Sequence, residues 1–209
     1  AVAGRLGDAG AVVAEVSVPE HLQGGGVAFA GFIEGMAATA LGGGNGYHWK
    51  GRYAPEFAAA LNAGLRSRGN ELPPQIKMVA LLGEHLRRYY GGSVYAAAQN
   101  QRAWLRAAYD AALQQVDFLV LPTTPYATFE HLDSLGLAEK ALRGWEPLSN
   151  CAQTDMTGHP AISIPAASVD GLPVGVMVIG RHGDDGRLIE FASRYERRFG
   201  WDSAIPDPR

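Results

Sequence analysis

The sequence predicts an α/β fold in which a mixed sheet is covered by helices and interrupted by a helical excursion. Short β-branched or continuously apolar runs occur near the start and in the last third. Residues 27–115, between them, carry apolar side chains at helical spacing and divide from a sheet-and-helix region at 116–200. Alternation of these patterns places helices over a sheet within one domain spanning residues 1–209.

Taken in order, residues 1–9 read as the tail of a helix whose beginning is absent, the expectation for a fragment or a processed chain. Gly10 stops that helix, and "AVVAEVSV" at residues 11–18 reads as a first strand that Pro19 cannot extend. The glycines at 24–26 precede a small-residue helix over residues 27–41, and residues 42–46, "GGGNG", form a flexible loop at the rim of a pocket. Pro55 starts a helix over residues 55–68, and residues 75–90 form another, with Ile76, Val79, Gly83 and Leu86 on one face. Gly91-Gly92 breaks it, and Ser93 reads as the cap of the longest apolar stripe, from Val94 through Leu105 and Tyr109 to Ala112.

Residues 117–122, "DFLVLP", suit a strand buried on both faces. Residues 161–167 and 174–180 are further strands around Asp170-Gly171, a turn dipeptide, and the second of them should be central. Residues 184–199 form a last helix with an acidic start and a basic end.

A chain of 209 residues with 47% apolar composition can bury an ordinary core. The net charge of −3 comes from mixed acids and bases, so no basic face is present for nucleic acid or a membrane surface. No apolar run reaches bilayer length. The single cysteine, Cys151, permits no intrachain disulfide and suits a reducing, cytoplasmic setting.

The residues themselves offer no convincing catalytic set. Cys151 and His159 are the nearest thiol and base in sequence, but a lone cysteine is more often a buried, inert thiol. The six histidines lack close ligand spacing, so no zinc site is expected. Residues 42–46 lack the lysine and hydroxyl ending of a phosphate loop, and Gly91-Gly92-Ser93 is explained as a helix stop and a cap. Asp155 and Glu130 stand alone, and Lys50, Lys77 and Lys140 are scattered.

The motif blocks "DFLVLPTTPYA" at 117–127, Asn150, "TGHPAISIPAA" at 157–167 and "GLPVGVMVIGRHGDDGRLIEFA" at 171–192 resemble, in order and spacing, the C-terminal part of the amidase signature family. "SVPEH" at 17–21 and "YAAAQNQR" at 95–102 resemble the bacterial amidases of small carboxamides, including those that act after nitrile hydratases. The resemblance covers the chain as roughly the last two-fifths of such an enzyme. It implies hydrolysis of a carboxamide to a carboxylate and ammonia through a serine acyl-enzyme. The lysine, cis-configured serine and nucleophilic serine would lie in an N-terminal polypeptide, because no "GSSGGS" segment occurs here and no catalytic residue is expected in this chain. The expected role is a pocket wall, with Trp49, Tyr53, Tyr89 and Tyr90 as apolar surfaces. A polar loop at 150–158 would bring Asn150, Thr154, Asp155, Met156 and Thr157 to a small amide substrate. Family members often carry Asn where Asp155 stands. His159, restricted by Pro160, reads as a packing or hydrogen-bonding residue. The expected partner is the N-terminal polypeptide, and a homodimer of the assembled enzyme is a further expectation. The alternatives are an amidotransferase-type component that passes ammonia on, and a non-catalytic binding or scaffold protein.

Overall fold

The computed structural model describes residues 2–46, 50–126 and 132–200. A short helix, α1 (Val2–Asp8), leads into residues 11–18, which run outside any helix or strand. The expected first strand is therefore not formed. Val12 is 99% exposed and only Val18 of this run packs on a core, so the β-branched residues have no ladder neighbour to complete them.

Helix α2 (His21–Thr39) begins before the position expected from its glycines. Gly24 is a contact residue rather than a breaker: a methyl there would meet Gln153 Cγ at 2.7 Å and Leu105 Cδ2 at 3.0 Å. Helix α3 (Pro55–Arg68) carries proline in its first turn, as does α4 (Pro74–Tyr90). Gly91 and Gly92, at φ 56° and 89°, make the left-handed corner into α5 (Ser93–Leu113). Ser93 does not cap this helix. The Tyr95 N–H donates instead to the buried Glu34 carboxylate of α2 at 2.9 Å, a cap supplied from across the interface.

Strand β1 (Leu119–Pro122) precedes two short helices, α6 (Leu137–Arg143) and α7 (Ala152–Thr157). Strands β2 (Ala161–Val169) and β3 (Leu172–Ile179) form a hairpin, and α8 (Asp185–Phe199) follows. The hairpin turns on Asp170-Gly171, both at positive φ (52° and 80°), the geometry of a two-residue primed turn. Its register shifts between Pro165 and Ala167, where Pro165 has no N–H to donate. The Arg5 guanidinium of α1 donates to the Ala166 carbonyl inside that irregularity at 2.9 Å.

The sheet order is β1-β3-β2, with β3 central as expected. Both pairings are antiparallel, so the parallel component of a mixed sheet is not found among the described residues. Alternation along β3 divides the core. Met177 and Ile179 pack against Leu105 and Tyr109 of α5, while Val178 packs with Ile164, Leu188 and Tyr195 on the α8 side. One face of the sheet thus carries α5 and α7, with α2 packed on those helices, and the other carries α8 and α1. No described helix is long and apolar enough to cross a membrane.

Candidate active site

The expected polar loop at 150–158 is a 3₁₀ turn over Glu146–Asn150 followed by helix α7. Helical geometry sorts its side chains: Gln153, Thr154 and Thr157 are buried, Met156 packs against the α5 core, and Asp155 is left exposed. The Thr154 hydroxyl donates back to the Cys151 carbonyl at 2.8 Å. Tyr53 is partly exposed just before α3, Tyr89 and Tyr90 are exposed beside His85, and Trp49 lies outside the described residues.

Asn150 is the hinge of a network whose proton positions follow from chemistry. Its Nδ2 donates to the Pro122 carbonyl at 2.9 Å, and a carbonyl can only accept, so the amide orientation is fixed with Oδ1 toward His21. His21 Nε2, 3.3 Å from Oδ1, must then carry the proton. His21 Nδ1 is left to accept from the Tyr109 hydroxyl at 2.6 Å, which suits a phenol whose pKa burial pushes up to about 12. One directed chain of donors therefore joins α5, the start of α2, the 3₁₀ turn and the end of β1. His21 and Tyr109 carried no signal in sequence, because the partners stand 88 positions apart and the Tyr109 ring reads simply as core.

Beside this brace, the Cys151 thiol donates to the Thr123 carbonyl at 3.3 Å. Burial, and then the charge of Asp155, push its pKa above the ordinary value, so it is a thiol rather than a nucleophilic thiolate. His159 does not activate it. The two nitrogens of His159 face Thr157 Oγ1 at 2.9 Å and Asp110 Oδ1 at 3.1 Å. Burial lowers the His159 pKa; Asp110 opposes this and His182 adds to it. Asp110, His159 and His182 bring three ligand atoms within 4.8 Å of one another, an arrangement the linear spacing does not disclose.

The sheet surface next to Asn150 is open and polar. Thr123 Oγ1 and Ser163 Oγ are hydrogen-bonded at 2.7 Å across Gly175, where a Cβ would lie 2.8 Å from the serine oxygen. An open apolar groove of about 610 Å³ lies between α2 and α3, lined by Phe32, Met36, Phe57 and Leu61 together with Gly44 of the glycine loop. Among the described residues, the hydrogen-bonded serines Ser67, Ser149 and Ser163 have carbonyl or threonine partners and no basic one.

Comparison with known proteins agrees with this architecture. The family model described as Amidase matches residues 1–189. An uncharacterised Rhodococcus erythropolis protein from the nthA 5′ region is 39% identical over 171 residues, covering 79% of this chain and 83% of that one. An enantioselective amidase of Rhodococcus rhodochrous is 35% identical over 187 residues, covering 88% of this chain but 36% of the relative, so the chain spans little more than a third of that enzyme. The structure of a 6-aminohexanoate cyclic dimer hydrolase superposes with a TM-score of 0.69 at 19% identity, over 96% of this chain and 40% of that one, a likeness of fold. With the family model matched across residues 1–189 and the fold shared with a solved hydrolase, the chain belongs to the amidase signature family.

Proposed function

We propose that this chain forms one wall of the substrate site in a carboxamide hydrolase, and that an N-terminal polypeptide carries its Ser–cis-Ser–Lys triad. The observation that carries the reading is the family match over residues 1–189 in a chain whose described serines have no basic partner. In the assembled enzyme the partner's serine oxygen attacks the amide carbonyl and ammonia leaves. Water then attacks the acyl ester, releasing the carboxylate and restoring the serine, with no metal or organic cofactor in these steps. The apolar groove between α2 and α3 receives the acyl group; Tyr53 and Trp49, singled out by the sequence alone, are proposed as further substrate contacts. The open polar edge formed by Asp155, Thr123 and Ser163, backed by the Asn150 brace, faces the reacting amide. The single protonated thiol and the mildly acidic charge suit a cytoplasmic enzyme.

The test is complementation followed by active-site labelling. The purified chain, alone and with an N-terminal amidase polypeptide, is assayed for ammonia release from simple aliphatic and aromatic carboxamides. A serine-directed fluorophosphonate then marks the nucleophile by mass. Free ammonia from the mixture alone, with the label on the added polypeptide, is the expected result. Hydrolysis by the chain alone, a label on this chain, or ammonia appearing only with an acceptor present would overturn it.

A further inference from the structure

We propose that Asp110, His159 and His182 form a binding site for a divalent transition-metal ion of the zinc type, fastening α5 to both ends of the hairpin. The three residues come from different elements: Asp110 near the end of α5, His159 between α7 and β2, and His182 between β3 and α8. Their ligand atoms all lie within 4.8 Å of one another, a span that a small cation closes with modest movement. Two imidazoles and one carboxylate favour zinc and its neighbours over magnesium or calcium, which take oxygen donors.

The surroundings organise the donors. The His159 side chain is fully buried, and its ring lies 4.2 Å from that of His182, 38° from parallel. Thr157 Oγ1 sits 2.9 Å from His159 Nδ1. As the side chains stand, His159 Nε2–H donates to Asp110 Oδ1 and the threonine hydroxyl donates to Nδ1. On metal binding the ring proton moves to Nδ1 and the hydroxyl becomes the acceptor, leaving the Nε2 lone pair for the ion. A hydroxyl can serve in either role, and this is the outer support that metal-bound histidines ordinarily have. Arg181, next to His182, is anchored by donating to the Leu113 and Val116 carbonyls at 2.9 Å each, which holds the β3–α8 junction in place. Arg106 approaches the other carboxylate oxygen of Asp110 at 3.6 Å, leaving Oδ1 for the ion. With Arg102 nearby, this cation lowers affinity below that of a closed structural zinc site. His182 is exposed and the Asp110 side chain is 45% exposed, so water completes the coordination.

The experiment uses the tag-free chain, with any polypeptide that copurifies, in competition with a chromophoric chelator for Zn²⁺. One equivalent of Zn²⁺ bound per chain is expected. His182→Ala and Asp110→Asn, both with solvent-accessible side chains, should each weaken binding at least about tenfold, and Thr157→Val by about 10- to 100-fold, while His85→Ala leaves it unchanged. Circular dichroism checks that each variant keeps its fold. Co²⁺ in place of Zn²⁺ should give visible absorption bands that His182→Ala removes. Absence of saturable Zn²⁺ uptake, or uptake indifferent to His182→Ala, would overturn the site. Because the readout is metal bound rather than amide hydrolysed, either result stands apart from the enzymatic reading.

Discussion

The side-chain amide of Asn150 fits in one orientation, because the Pro122 carbonyl on one side accepts only and the protonated His21 Nε2 on the other must donate. Asn150→Asp would keep the acceptor for His21 but set a carboxylate oxygen against the Pro122 carbonyl. A destabilisation of about 1–3 kcal/mol in urea unfolding is expected, and wild-type stability in this variant would mean that the network carries no weight. His159 gives a second expectation. Its folded pKa lies below the unfolded value of 6.5, mainly through burial, so the unfolded chain binds its proton first on acidification. The stability this provides is complete above pH 6.5 and is lost as pH falls through the lower folded pKa. A melting temperature measured from about pH 7.5 to 5 should fall with acid, and His159→Gln should flatten that dependence; an equal slope in the variant would assign it to other groups.

Among the elements, α5 depends on a cap that its own sequence lacks. Glu34→Ala should cost about 1–2 kcal/mol by stranding the first-turn N–H of Tyr95, whereas Ser93→Ala should be near neutral; the reverse order in thermal unfolding would reject the cross-helix cap. The crossing of α2 and α4 is equally specific. A methyl at Gly83 would lie 2.2 Å from the Ala37 Cβ and 2.9 Å from the Ile33 carbonyl oxygen, so Gly83→Ala should cost about 1–3 kcal/mol, and a neutral result would mean the two helices part freely. These contacts explain what was legible in sequence. Helices α3 and α8 and the β2–β3 hairpin were readable because prolines, end charges and Asp170-Gly171 act locally. The start of α2 was not, because a glycine that permits close packing looks in sequence like one that breaks a helix. Helix α7 is too short and polar to show a period, and the β-branched run at 11–18 has strand propensity without a strand beside it. For the site, the position of Asn150 could be read, but the histidine pairs on either side of Tyr109 depend on contacts distant in sequence.

For the whole molecule, exposed area sets the terms. The chain exposes 13751 Å², whereas a compact monomer of its 22.2 kDa mass exposes about 9,400 Å². The excess is comparable to the area of a large obligate interface, and Val12, Leu22, Leu81 and Leu137 contribute to it with exposures from 71% to 99%. β3 is not an open edge, because β1 and β2 pair with it on both sides. The unsatisfied surfaces are instead the outer edges of β1 and β2, the run at 11–18 and the outward apolar residues of α2 and α4. The chain by itself should therefore bind a hydrophobic dye such as ANS and self-associate. An N-terminal amidase polypeptide should abolish both, giving a one-to-one complex by native mass spectrometry and new hydrogen-exchange protection at Val12 and Val13. A lone 22.2 kDa species with no dye binding would show that the exposed apolar surface needs no cover, and would turn the reading from a divided hydrolase to a free-standing binding protein.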